Sequence, residues 1–403
     1  MLTKAREEKL VELCSEMIRT PSFSGQEGAL AGFLTETMKA AGFDRVDRDR
    51  FGNVTGRIAF GREGKKILLE GHMDHVGVSD PSKWTVDPFG GEIKDGRIWG
   101  RAATDMKGNL AAMALAASFL KEDLASELGG EVFVAGSVHE ECFEGVASEE
   151  IGKACGPDCV VIGEPSGLSL KRGQRGRAEI VLETFGKNAH SSNPSVGVNA
   201  IKKIVKALSA IEEGFVPLRH PVLGEGILEV TDIISSPYPG ASVVPDRCRA
   251  TFDRRLLEGE DKETVLEQVR ELLKQAGKDD GEFRAEVGLA LGEDRCYTGE
   301  TISAERFAPG WIFPEDHPFV ADALEGLRSV GQDPGISHYY FCTNGSYYAG
   351  KAKIPTVGYG GSLERLAHVD DEYIEIEQLL KACEGYYGIM RSVLGAKGQD
   401  GAA

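Results

Sequence analysis

Five short segments carry side chains whose types suit metal chemistry: Gly71-His72-Met73-Asp74-His75, Thr104-Asp105-Met106-Lys107-Gly108, His139-Glu140-Glu141, Gly163-Glu164-Pro165-Ser166 and Ala367-His368-Val369-Asp370. Four of them fall just past the carboxyl ends of expected strands, where open α/β sheets place their ligands. In an extended segment residues i and i+2 share a face, so His72 and Asp74 point one way and His75 the other. A metal-binding imidazole usually has its second nitrogen held by a carboxylate or carbonyl, which makes Asp74 a candidate support for His72. Asp105 taken alone reads equally well as the N-cap of the alanine-rich segment after it. Glu140 and Glu141 are adjacent and project differently, so one can hold metal while the other handles protons. Glu164 follows an apolar run and needs a cation or donors to stay ionised.

Each segment is weak by itself. Together, two imidazoles, one aspartate and two glutamates as ligands, with a glutamate to spare, suit two zinc ions. Without metal, Asp105, Glu140, Glu141 and Glu164 brought together would repel one another until at least one took up a proton. Two divalent cations remove that problem.

The elements that must position these residues follow an alternating rhythm. Residues 1–20 read as an amphipathic helix, because charges interrupt the apolar run that a signal peptide would need. Ser24 and Glu27 have capping-box spacing ahead of a helix over 29–41. Strands are expected at 66–70, 131–138 and 159–162, with an alanine-rich helix over 109–120. That order implies an α/β fold with a doubly wound, largely parallel sheet. From 178 to 289 the order becomes strand, helix, strand, strand, helix, strand, the β-α-β-β-α-β pattern of a ferredoxin-like unit. A helix over 318–330 and a strand over 354–359 then return to the first pattern. The expected organisation is a catalytic domain of residues 1–176 and 296–403, split by a domain of residues 177–295.

Composition bounds the rest. The chain has 403 residues, beyond what one hydrophobic core usually serves, and 41% of them are apolar, enough for two. With 46 basic and 64 acidic side chains the formal charge is 46 − 64 = −18, which disfavours nucleic acid and anionic membranes as partners. No segment approaches the length of a membrane span. The eight cysteines lack zinc-ribbon spacing and read as reduced, mostly buried thiols, so a cytoplasmic location is expected. Residues 398–403 read as a loose tail.

The motifs Gly71-His72-Met73-Asp74, Gly100-Arg101-Ala102-Ala103-Thr104-Asp105-Met106-Lys107-Gly108, Glu140-Glu141, Gly163-Glu164-Pro165 and Ala367-His368, in that order, closely resemble those of a di-zinc amidohydrolase and exopeptidase family. It includes aminoacylase, acetylornithine deacetylase, succinyl-diaminopimelate desuccinylase and the glutamate carboxypeptidases. The resemblance implies cleavage of an amide or peptide bond by zinc-activated water, with cobalt or manganese as possible substitutes. It implies that His72 and Glu164 bind one zinc and Glu141 and His368 the other, with Asp105 bridging. Glu140 would be general base and acid, and Asp74 would belong to the catalytic set. The inserted unit looks like that family's lid, which also commonly supplies a dimer interface. In it, His190 is similar to a histidine that hydrogen-bonds the tetrahedral intermediate, and Arg255 to an arginine that pairs with a substrate carboxylate. Without the resemblance, His190 reads as a surface-loop histidine and Arg255 as a solvated edge charge. The run Phe341-Cys342-Thr343-Asn344-Gly345-Ser346-Tyr347-Tyr348 resembles a subgroup linked to selenium metabolism, and Asn344 would border the substrate. Two departures stand out: His139 where many relatives carry Asp, and Cys342-Thr343-Asn344-Gly345 where many carry a Gly-Thr-Ser-Asp-type run.

The implied partner is a small acyl amino acid or short peptide with a free carboxylate. Two alternatives stay open: a di-zinc aminopeptidase, against which the inserted unit argues, and a catalytically silent metal-binding module.

Overall fold

A computed structural model describes residues 1–395; the tail expected at 398–403 lies outside the described residues. The chain divides into two compact units. The first comprises Met1–Gln174, Glu293–Ile302 and Ile312–Ala403, and the second Arg175–Gly292 and Ser303–Trp311. The chain therefore returns to the second unit for a short stretch after 302, a return that the sequence did not signal.

In the first unit, Glu131–Ser137, Lys66–His72, Cys159–Ile162 and Thr356–Gly358 lie side by side in that order, all parallel. Almost every residue of the first three is buried, as expected of parallel strands covered on both faces. Val54–Ala59 and then Arg45–Arg48 extend one side antiparallel, and Leu170–Gln174 joins the other side antiparallel. These flanking strands were missed, because short or charged segments carry little of the apolar run that marks a central strand.

The helix Gly108–Leu124 is buried on every side as far as Leu120. Its alanine-rich, apolar composition leaves no polar face to turn toward water, so it must be enclosed. Lys4–Ile18 and Ile376–Leu394 pack against it, and Pro318–Arg328 packs against Ile376–Leu394. No helix among the described residues is long and apolar enough to cross a membrane. All eight cysteines are free, seven of them buried.

One local expectation fails. The helix Gly28–Ala40 does start beside Glu27, yet Ser24 and Glu27 form no capping box. Glu27 Oε1 instead accepts the backbone N–H groups of Gly25 and His139, and Ser24 Oγ donates to Asp74 Oδ2 at 2.7 Å. Both side chains are drawn away from their helix by groups that are buried and need partners.

The second unit is an antiparallel sheet with two helices on one face. Its strand order is Ile227–Ser236, Arg247–Leu256, Gly176–Phe185, Ala285–Leu289, with Phe307–Ala308 added on Gly176–Phe185. With the helices Ala200–Gly214 and Lys262–Gly277 this is the ferredoxin-like connectivity. Ile180, Leu182, Ile204, Ala250, Phe252 and Val269 form its core. Asn199 and Asp261 cap the two helices by accepting backbone N–H groups.

Candidate active site

The site forms where the parallel strands of the first unit end. Lys66–His72 delivers His72 as its last residue, and Cys159–Ile162 ends two residues before Glu164. His72 and Glu164 each follow a glycine for a steric reason: a Cβ on Gly71 would lie 2.4 Å from Met106 Cε, and one on Gly163 would lie 2.7 Å from Met113 Cε. The two methionines fill the space between the strand ends and the helix Gly108–Leu124, and only glycine leaves them room.

Asp105 does not cap that helix. The helix begins at Gly108, and Asp105 has extended-type dihedrals of φ −125° and ψ 88°. Its carboxylate reaches two imidazoles: Oδ1 lies 2.9 Å from His72 Nε2, and Oδ2 lies 3.1 Å from His368 Nε2. Glu164 Oε1 is 3.5 Å from His72 Nε2, and Glu141 Oε2 is 3.1 Å from His368 Nε2. Donor atoms of His72, Glu140 and Glu164, and likewise of His72, Asp105 and Glu141, lie within 4.8 Å of one another. His139 and His368 both adopt left-handed backbone, at φ 55° and 63°, an uncommon conformation for non-glycine residues that concentrates at functional sites.

The charge arrangement is unstable without cations. Burial, then the neighbouring carboxylates, lift Glu140 and Glu164 well above the ordinary carboxylate range. Burial opposes ionisation of Asp105 too, but hydrogen bonds from His368 and His72 hold it far below that range. The carboxylates of Asp105 and Glu141 push His368 up to about 10. Glu140 Oε1 is buried without a hydrogen-bond partner. Four carboxylates facing two imidazoles, with one orphaned oxygen among them, fit two divalent cations better than they fit shared protons.

The supporting residues differ from expectation in one respect. His72 Nδ1 donates to the backbone carbonyl of Asp74 at 2.9 Å, so the carbonyl orients the ring and leaves Nε2 facing the cluster. The Asp74 carboxylate, 3.7 Å from Nδ1 at its nearest oxygen, has another task. Its oxygens accept the N–H groups of Glu140 at 3.0 Å and Glu141 at 3.2 Å, which fixes the turn that presents both glutamates.

Asn344 is not placed to meet a substrate. Its amide donates to Glu70 Oε1 and Ser137 Oγ, both at 2.9 Å, and its carbonyl accepts the Gly145 N–H at 2.7 Å. Every polar atom of that buried side chain is engaged inside the protein. In the second unit, His190 is exposed. Its Nδ1 accepts from Ser192 N and lies 2.7 Å from Ser192 Oγ, which leaves Nε2–H as an outward donor. Arg255 lies on the less buried face of its strand and pairs with Asp253 at 2.7 Å. Three other histidines have structural work: His75, His220 and His317 accept backbone N–H groups.

Sequence reasoning missed Arg101, Glu372 and Tyr339. Tyr339 Oη donates to the Glu164 carbonyl at 3.0 Å. Glu372 accepts from Thr104 N, Asp105 N and Arg101 Nη1. Arg101 lies within the motif over 100–108 without a role of its own there, and no local pattern marks Glu372 or Tyr339, whose partners are distant in sequence.

Comparison with known proteins agrees with this geometry. A protein of unassigned function from Escherichia coli (strain K12), YgeY, is 32% identical over 98% of this chain and 97% of its own length. Succinyl-diaminopimelate desuccinylase 2 of Ruegeria sp. (strain TM1040) is 27% identical, covering 96% of each chain. Among solved structures, aminopeptidase PepT from Bacillus cereus ATCC 10987 superposes with a TM-score of 0.74 at 22% identity, over 96% of this chain and 98% of that one. The class these features define is a metal-dependent hydrolase acting on C–N bonds. The chain belongs to the peptidase family M20/M25/M40, whose pattern it matches over residues 68–392.

Proposed function

We propose that His72 and Glu164 hold one divalent ion and Glu141 and His368 a second, with Asp105 between them, in a hydrolase that cleaves an amide or peptide bond. The observation that carries this reading is the division of the Asp105 carboxylate, one oxygen on each imidazole. Zinc held there would supply Lewis acidity for activating water and for the scissile carbonyl. Glu140 takes the proton of the attacking water through its orphaned Oε1 and returns it to the leaving amine. Asp74 holds the backbone of Glu140 for both transfers. His190, through Nε2–H, stabilises the developing oxyanion. Arg255 would receive a substrate carboxylate by releasing Asp253, with which it pairs at 2.7 Å.

The substrate class is N-acyl amino acids or short peptides with a free carboxylate. An aminopeptidase is the second reading, favoured by the fold shared with the Bacillus cereus aminopeptidase. That likeness spans nearly the full length of both chains, so an inserted unit does not separate the two activities. Hydrolysis of N-acyl amino acids against free-amine peptides decides between them: preference for a free α-amine supports the aminopeptidase.

Glu140→Ala tests the mechanism. The variant is expected to keep about two zinc ions per chain while kcat falls by about 10²–10⁴. Metal lost with activity retained reverses the roles of Glu140 and Glu141. Two bound ions with no turnover by the wild-type protein of any acyl amino acid or peptide favours the silent module.

The second unit offers the surface for a homodimer. Ile227–Ser236 is a ten-residue edge strand with Ile227, Val230, Ile233 and Ile234 all at least 41% exposed. A long apolar edge of that kind needs a partner strand.

A further inference from the structure

Asp105 and His368 arrive on segments far apart in sequence, and one side chain ties them together. Glu372, four residues after His368, is 0% exposed. Its Oε1 accepts the N–H groups of Thr104 at 2.8 Å and Asp105 at 3.1 Å, and its Oε2 accepts from Arg101 Nη1 at 2.5 Å. The backbone of Glu372 joins in, its carbonyl accepting the Gly100 N–H at 2.8 Å. Thr104 Oγ1 donates to the Tyr373 carbonyl at 2.6 Å, and Tyr373–Glu375 pairs with Arg97–Trp99. The peptide at Asp105 and the segment that follows His368 therefore behave as one body.

Burial energy does not explain this carboxylate. A buried ion pair often contributes no more stability than apolar side chains of the same volume. What Glu372 does provide is direction, since donors from three residues converge on one carboxylate beside the residue that divides the cluster. His72 and Glu164 have independent support, being delivered by strand ends of the parallel sheet. His368 does not: it stands on a loop with its side chain 48% exposed.

We propose that Glu372 is a positioning residue that sets the Asp105 carboxylate against His368, and so governs the affinity of the His368–Glu141 ion far more than that of the His72–Glu164 ion. The inference rests on the two-ion reading above. Residues behind metal ligands typically change affinity by about 10–100-fold when replaced, and here the change falls on one ion of two.

The test is calorimetric titration of the chelator-stripped full chain with zinc, for wild type, Glu372→Ala and Glu372→Gln. Glu372→Gln keeps a carbonyl oxygen for the Thr104 and Asp105 N–H groups and is the variant that carries the test if the alanine form does not fold. Wild type is expected to take up two ions. Glu372→Ala is expected to keep one at wild-type affinity and weaken the other by about 10–100-fold, with Glu372→Gln in between. Activity lost at low zinc is expected to return with excess zinc, which a general folding defect would not allow. Wild-type affinities for both ions in the variants, or equal weakening of both ions, overturn the proposal. Fewer than two ions in wild type instead overturns the two-ion reading, and this inference with it.

Discussion

Asp74, two residues after His72, acts through the backbone. Its two oxygens hold the N–H groups of Glu140 and Glu141, and Ser24 holds one of those oxygens in turn. Asp74→Asn would place an amide N–H against a backbone N–H and turn the pair of glutamates. We expect kcat to fall by about 10–100-fold with unchanged far-UV circular dichroism; kcat within twofold of wild type would show that the turn holds itself. The five residues proposed to hold metal were legible as candidates in the sequence because each sits in a short motif of its own. The internal role of Asn344 was not, because the engagement of its amide by Glu70, Ser137 and Gly145 depends on segments distant in sequence.

At the scale of elements, the strand ends hold the site only if their packing stays tight. Gly163→Ala pushes a methyl group into Met106 and Met113, which already fill the space beneath the strand end. Overpacking of this kind costs about 1–3 kcal/mol, and the urea midpoint is expected to drop accordingly. Substituting Met113 by a smaller side chain in the same protein is expected to recover part of that loss. His75, just past the strand Lys66–His72, adds a pH dependence. Burial pushes its pKa from 6.5 down to about 3, so the folded state keeps the ring neutral while it accepts the Ser22 N–H. The unfolded chain binds the proton first. His75 therefore contributes its full stability above about pH 6.5 and loses it as pH falls toward 3, by up to about 1.4 kcal/mol per pH unit. Urea unfolding of His75→Gln across that range is expected to show a shallower decline than wild type; parallel curves would assign the acid sensitivity elsewhere.

For the whole molecule, the cluster of carboxylates makes bound metal a source of stability as well as activity. An ion present at 100 times its dissociation constant stabilises by about 2.7 kcal/mol, so chelator treatment is expected to lower the thermal midpoint and added zinc to restore it. An unchanged midpoint would place the ions outside the folding equilibrium. The edge strand Ile227–Ser236 predicts a dimer by light scattering at micromolar concentration, with Ile233→Lys shifting the mass to that of one 43.4 kDa chain. A wild-type monomer would leave that apolar edge to another partner.

The sequence by itself determined the α/β class, the central strands, the ferredoxin-like order of the second unit and the residues able to bind metal. These rest on apolar periodicity and on side-chain type, which are local properties of the chain. Tertiary structure alone decided that Asp105 divides between two imidazoles, that Asp74 serves Glu140 and Glu141 through their N–H groups, and that Glu372 ties Asp105 to the segment after His368. Those contacts join residues tens to hundreds of positions apart, and a buried polar atom takes whichever partner the fold brings near, which no window of neighbouring residues encodes.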